Sequence, residues 1–333
     1  MGLLFCDSWD NYSVLTDFWD GTGTDCTIRL NTGKARTGIG CLQINSATFG
    51  PQKNFNHLND VLICTAWYSS NAGQVFRFLQ TDNLGPNVSA VVNSDGSITF
   101  NNGNLPIFLG QTVAGLVQFN TYVSIAVRVK NFTAATGELT CWVNGAQVFH
   151  QTGLNTAYDP AHPYCNAIQL MGPGGIPTCY HDDTYVLDCS FAPNNTFLGA
   201  LRLYALPPTG NASPLQWTPL AGTNWSEVSE VPPDGDTSYV SSSTVGQIDQ
   251  YTYPLTGVPV GASLIFLQHD LDMEVDSGSR SVASDVAGIP APTSTALSSN
   301  YHIYPTPYDT NPSTGVQFVT ADFPLNAGPK VTL

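Results

Sequence analysis

The stretch Tyr180-His181-Asp182-Asp183-Thr184-Tyr185-Val186-Leu187-Asp188, followed by Asn194-Asn195-Thr196-Phe197-Leu198-Gly199, decides how the chain is read. It reads as a β-strand opened by paired aspartates, then a polar loop, then a second strand begun at a glycine. Successive side chains of a strand point to opposite faces, so Asp182 and Asp183 are expected on opposite sides of their sheet. Aspartate commonly accepts hydrogen bonds from nearby loop N–H groups, and that capping role is the first reading of the pair. The second is ligation of Ca2+, which needs about six to eight oxygens converging from loops.

Strand patterns extend outward from there. Val123 to Lys130 alternates, with Val123, Ile125, Val127 and Val129 on one face. Glu138 to Phe149 reads as strand, Asn144-Gly145 turn, strand, because both central residues of such a turn need positive φ. Val88 to Val92 and Ser97 to Phe100 flank a second turn, Asn93-Ser94-Asp95-Gly96, and Val61 to Tyr68 and Val75 to Gln80 supply two more strands. No window holds a sustained apolar stripe of helical period. Many short strands between Gly- and Asn-rich turns indicate an all-β sandwich or barrel. Two prolines in Leu206-Pro207-Pro208-Thr209-Gly210 mark a boundary, which separates residues 1–206 from a smaller β domain at 207–333. Within the latter, Leu267, His269, Leu271, Met273 and Val275 share one side of a strand, and Asp270, Asp272, Glu274 and Asp276 share the other. The acidic side reads as a solvated face that discourages edge pairing.

The chain has 333 residues, 42% of them hydrophobic and only 11% charged, with a net charge of −15. Up to Leu206 there are 13 acids against 8 bases, and beyond it 12 against 2. Phosphate-binding surfaces need clustered Lys and Arg; the 10 here are scattered, which argues against nucleic acid and anionic membranes as partners. No run of about 18 apolar residues exists to span a bilayer. Leu3-Leu4-Phe5 is interrupted by Asp7 and Asp10 and does not read as a secretory leader. Assembly in a cytosol is therefore expected, with most of the eight cysteines reduced and buried.

Chemistry is sparse. A retaining glycosidase needs two carboxylates about 5 Å apart, and the first domain has one glutamate, Glu138. Asp270, Asp272 and Glu274 are the other carboxylates weighed, for catalysis and as Ca2+ ligands. Cys179 and His181 share a strand face, with Cys165 and Cys189 nearby, but the paired cysteine spacing of structural zinc sites is absent. No Gly-x-Ser-x-Gly elbow is present. Among six tryptophans, Trp142 beside a hairpin and Trp225 in a polar loop are the candidates for stacking on sugar rings.

Several stretches together resemble one family. Phe5-Cys6-Asp7-Ser8-Trp9-Asp10-Asn11-Tyr12, Arg36-Thr37-Gly38-Ile39-Gly40-Cys41-Leu42, the Asp182-Asp183 strand and Phe197-Leu198-Gly199 are similar to segments of concanavalin A-like (LamG-like) jelly-roll structural proteins of tailed bacteriophages. Trp217-Thr218-Pro219, Val231-Pro232-Pro233-Asp234-Gly235-Asp236 and Tyr239-Val240 resemble the linker and following strand of such proteins. Thr310-Asn311-Pro312-Ser313-Thr314-Gly315 and Asn326-Ala327-Gly328-Pro329-Lys330 resemble their C-terminal end. Where the family commonly has an acidic residue after the glycine, this chain has Ala200. The resemblance implies a jelly-roll sandwich followed by a second, smaller β-sandwich. It implies a virion protein, tail- or fibre-associated or capsid-decorating, assembled in the host bacterial cytoplasm. Such a protein acts without catalysis or cofactor, by contacts with other virion proteins, as a homo-oligomer for which a trimer is expected. The alternatives are a carbohydrate-binding receptor-recognition module that reads a host surface glycan through Trp142 and Trp225, and a glycoside hydrolase.

Overall fold

The computed structural model describes residues 2–23, 25–45, 49–82, 85–103, 107–174 and 178–333. The chain divides into two compact units, Met1–Trp9 with Ser13–Leu203, and Asp10–Tyr12 with Tyr204–Leu333. Three residues of the opening motif, Asp10, Asn11 and Tyr12, thus pack with the second unit rather than with the first. The Asn11 side chain donates to the Asp270 carboxylate at 3.1 Å.

The described residues of the first unit form strands β1 (Leu3–Asp7), β2 (Cys26–Leu30), β3 (Gly40–Ile44), β4 (Gln52–Leu58), β5 (Asp60–Ser69), β6 (Gly73–Gln80) and β7 (Gly85–Val92). They continue with β8 (Ile98–Asn102), β9 (Ile107–Gln111), β10 (Val123–Lys130), β11 (Gly137–Val143), β12 (Ala146–Leu154), β13 (Cys165–Leu170) and β14 (Cys179–Asp188). One sheet of eight strands runs β12-β11-β10-β5-β14-β3-β2, with β1 added beside β14, and one of six runs β4-β13-β6-β7-β8-β9.

The alternation read in the sequence builds the core. Val186, Ile63, Val127 and Cys141 are paired across four strands of the larger sheet, and all are fully buried. Phe76, Phe78, Val88, Ala90, Ile98, Phe100 and Ile168 line the inner side of the smaller sheet at 1% exposure or less. The two layers meet through Phe78 against Phe132 and Phe100 against Phe149, with centroids 6.3 and 5.0 Å apart. The hairpin β11–β12 turns at Asn144 and Gly145, with φ of 49° and 91°, the left-handed pair that an Asn-Gly turn supplies at little cost.

The middle of the larger sheet is buried on its outer side as well. The row Tyr185, Cys64, Ala126 and Trp142, paired across β14, β5, β10 and β11, lies beneath the segment 197–203. Phe197 stacks on Trp142 at 4.9 Å, and the Tyr185 hydroxyl donates to the Gly199 carbonyl at 2.8 Å. On the outer side of the smaller sheet Gln52, Gln74, Arg77, Asn101 and Gln169 are partly exposed, while Ser89 is buried.

The second unit contains β15 (Gly210–Leu215), β16 (Thr218–Pro219), β17 (Val240–Ser241), β18 (Asp249–Tyr253), β19 (Leu267–Met273), β20 (Ser281–Val286), β21 (Ile289–Pro290), β22 (Thr295–Ala296), β23 (His302–Tyr308) and β24 (Leu325–Val331). A sheet ordered β15-β18-β24-β20-β21, with β22 beside β20, is joined by two ribbons, β16–β17 and β19–β23. Val286, Tyr308, Phe318, Leu325 and Ala327 form a core between the β19–β23 ribbon and the sheet. The helical segments among the described residues are short 3-10 turns at Leu15–Asp17, Asn224–Glu227, Gly235–Thr237 and Thr320–Asp322. The protein is all-β.

At one margin of the first unit, β9 and β12 close the sandwich across Gly110. Its φ is +154°, and a Cβ there would sit 2.5 Å from the Phe149 ring. Overpacking of this kind costs roughly 1–3 kcal/mol. Gly110→Ala should therefore lower the stability of the first unit by about 2 kcal/mol in urea denaturation, and Phe149→Leu in the same chain should recover part of that loss.

Candidate functional site

The paired aspartates do not lie on opposite faces, as a regular strand requires. The pairing of β14 with β5 slips between Asp182 and Tyr185, and Asp183 adopts φ +47°. This bulge turns both carboxylates toward one loop. One Asp182 oxygen accepts the backbone N–H groups of Arg36 and Thr37 at 2.5 and 3.1 Å, and the other accepts that of Asp183 at 2.7 Å. Asp183 takes the Arg36 guanidinium at 2.6 Å and the Thr37 hydroxyl at 2.9 Å with one oxygen, and the Leu203 N–H at 2.7 Å with the other. Arg36 also donates to the Leu201 carbonyl, and Arg202 to the Arg36 carbonyl. Burial, and then the charge of Asp183, push the Asp182 carboxyl upward, against the pull of the N–H groups it accepts. All four oxygens accept bonds from the chain itself, so the geometry is that of a clasp joining turn 36–37 to segment 201–203.

Most other residues singled out in the sequence are dispersed. His181 is fully buried, with its ring nitrogens 3.0 Å from the Met171 carbonyl and 3.4 Å from the Thr65 hydroxyl. The Cys179 thiol also points to Met171 O, and burial raises its pKa to about 12. Cys165 and Cys189 are likewise buried and raised to about 12. All eight cysteines are free thiols, and the described residues contain no cluster of three His, Cys, Asp or Glu suited to a metal. Glu138 lies 3.9 Å from His150, both partly exposed. Asp270 and Asp272 are half-buried on β19, and Glu274 lies beyond its end.

The two tryptophans lie in different units. Trp142 is half-buried, with one ring face occupied by Phe197. Trp225 belongs to the other unit, where it sits half-buried in the short turn Asn224–Glu227 with its backbone N–H donated to the Asn211 side-chain oxygen. The expectation that these were the exposed rings fails for Trp142 because Phe197, distant in sequence, folds back over it.

What the structure brings together is a row missed in the sequence. On the outer side of the six-stranded sheet, Gln52, Gln169, Arg77, Ser89, Asn101 and Phe108 are direct cross-strand partners, one from each of β4, β13, β6, β7, β8 and β9. Beside it runs a second row, Gln74, Val91, Thr99 and Gln111. Two bulges assemble these rows. An extra residue at Val75 puts Gln74 and Arg77 on one side, and one at Leu109 does the same for Phe108 and Gln111. Their spacing of three breaks the two-residue period by which strands are read. The alternation of polar Thr99 and Asn101 with apolar Ile98 and Phe100 was the available signal.

Hydrogen bonds orient the amides. Gln52 donates to Asn54 at 2.8 Å, Gln169 to the Gly50 carbonyl at 3.2 Å, Gln111 to Ser97 at 2.8 Å, and Arg77 to Gln74 at 2.9 Å. The side-chain carbonyls of Gln52 and Gln169 and the side chain of Asn101 have no partner among the described residues. Phe108 is 64% exposed at one end of the row, and Phe49, 50% exposed, lies against Arg77. None of the ten residues is acidic, in a chain with 25 acids.

No protein-family model matches the chain, and no curated protein does. Among solved structures, it is similar to an endo-β-1,4-glucuronan lyase from the fungus Trichoderma reesei, at 11% identity and a TM-score of 0.39, over 56% of this chain and 95% of that one. The catalytic domain of a glycoside hydrolase family 131 protein from Coprinopsis cinerea gives 16% and 0.32, over 55% and 86%. A tetrameric galectin from the ball sponge Cinachyrella sp. gives 14% and 0.31, over 41% and 97%. The likeness is one of fold type.

Two outcomes follow from the clasp and its neighbour. Asp183→Asn leaves the buried Arg36 guanidinium without its counter-ion, and breaking such a pair costs about 3 kcal/mol; urea denaturation should show that loss in the first unit. Burial lowers the His181 pKa from 6.5 to about 4. The unfolded chain therefore takes up the proton first as pH falls, so the stability contributed by neutral His181 is complete above pH 6.5 and is lost between there and about pH 4. The stability gap between the wild type and His181→Gln should shrink by about 1.4 kcal/mol per pH unit across that window.

Proposed function

We propose that the chain is a carbohydrate-recognition protein whose first unit holds an extended glycan across the outer face of its six-stranded sheet. The observation that carries the reading is the uninterrupted row from Gln52 to Phe108. Neighbouring strands lie about 4.8 Å apart, so six of them present a track about 24 Å long. Amide and hydroxyl side chains both donate and accept, as a series of sugar hydroxyls requires. An exposed ring such as Phe108 offers an apolar surface to the flat side of a pyranose. Arg77 is the one titratable group among the ten side chains, so the face supplies hydrogen bonds and one positive charge but no acid–base pair; the proposal is binding without turnover.

The resemblance of nearly the whole chain to tailed-phage structural proteins favours a second element. The module would belong to a virion, tail- or fibre-associated or capsid-decorating, as a homo-oligomer, and the face would read a host surface glycan. Sedimentation of the purified protein as a trimer, and its presence in purified particles, would support that placement; a monomer absent from particles would remove it.

Titration calorimetry against soluble polysaccharides tests the recognition face. Gln52→Ala, Gln169→Ala and Asn101→Ala should each weaken binding about three- to tenfold, the worth of one hydrogen bond, and Phe108→Ala should weaken it too. Trp142→Ala and Trp225→Ala should leave binding unchanged. Loss of binding in the tryptophan variants alone would move the site elsewhere, and failure to bind any polysaccharide would remove the reading.

A further inference from the structure

We infer that the glycan held by this face is acidic, with the carboxylate of a uronic acid residue seated on Arg77. The inference rests on the glycan-binding reading above and deepens it. Arg77 is an exception among the partly buried or buried cations of the first unit. Arg36 meets Asp183 at 2.6 Å, Arg128 meets Asp60 at 2.6 Å, and Lys53 has Asp20 at 4.0 Å. Arg77 has no carboxylate among the described residues, although acids outnumber bases 25 to 10 in the chain.

Its contacts are a neutral amide, Gln74, at 2.9 Å and the Phe49 ring, 5.1 Å from the guanidinium carbon. Among the described residues the buried Nε group has no hydrogen-bond partner. A guanidinium carries five N–H donors and no acceptor, so most of its capacity is open. Partial burial disfavours its charged form, a penalty that a bound anion offsets.

The surroundings define which anion. The other nine residues of the two rows are uncharged, so Arg77 sets the sign of the face within a strongly negative molecule. Complementarity therefore selects a ligand whose charge is negative and sparse, set among hydroxyls. Gln169, partly exposed, flanks Arg77 directly in the row and suits those hydroxyls; Ser89 on the other side is buried. The Phe49 contact restrains the guanidinium, and a planar carboxylate matches its donor fork with two oxygens. A polyuronate meets these requirements; a neutral glucan leaves Arg77 unpaired.

The test compares cello-oligosaccharides with the same oligomers oxidised to carboxylates at C6, and with their C6-sulfate esters, by calorimetry at low salt. Thermal melts confirm that the Arg77 variants stay folded. The wild type should bind the carboxylated oligomer about tenfold or more tighter than the neutral one, the scale of a charge-assisted hydrogen bond. Arg77→Gln should abolish that preference, carboxylated and neutral ligands then binding alike, and Arg77→Lys should restore only part of it. Equal binding of neutral and carboxylated oligomers by the wild type, a preference that survives Arg77→Gln, or tighter binding of the sulfate esters would each overturn the uronate assignment while leaving glycan recognition standing. No binding of any oligomer, together with none on a wider polysaccharide panel, would overturn both.

Discussion

Two carboxylates on neighbouring residues of a buried strand must find donors or cost the fold several kcal/mol. In this protein they find them by bending the strand. The bulge at Asp182–Asp183 gathers both side chains onto Arg36 and Thr37 and onto the backbone of Leu203. That clasp anchors one end of the segment that crosses the outer side of the larger sheet. Phe197 and Gly199 then cover Trp142 and Tyr185. The middle strands of the larger sheet are enclosed on both sides as a result, and the open face of the sandwich is that of the smaller sheet.

The distribution of charge follows the same division. Partly buried cations of the first unit are neutralised locally by aspartates, as Arg36 and Arg128 show. The open face instead carries amides, hydroxyls and one cation without a carboxylate. Apart from Arg77 its groups are uncharged, and several are oriented by one another, which suits the proposed binding by hydrogen-bond complementarity. It is the arrangement that the proposed recognition of an extended glycan calls for.

The alternation of Val123 to Val129, the Asn144-Gly145 hairpin and the turn at Asn93–Gly96 were readable because they depend on local rules of strand period and positive φ. The site was not readable for the opposite reason. Gln74 with Arg77, and Phe108 with Gln111, share a face only because an extra residue interrupts β6 and β9, and a bulge has no local signature that periodicity detects. The same device misplaced Asp182 and Asp183 on opposite faces. Trp142 looked exposed because its cover comes from Phe197, 55 residues later in the chain; nothing around position 142 announces it.

The central claim is that the outer face of the six-stranded sheet is where this protein meets its ligand. The most direct measurement is a nuclear magnetic resonance titration of the isotopically labelled protein with C6-oxidised cello-oligosaccharide, following side-chain amides, the arginine Nε and the tryptophan indoles together. The account predicts saturable shifts at Gln52, Gln169, Asn101 and Arg77, with the indoles of Trp142 and Trp225 unmoved. Shifts confined to those indoles, or to the Asp182–Arg36 clasp, would contradict it.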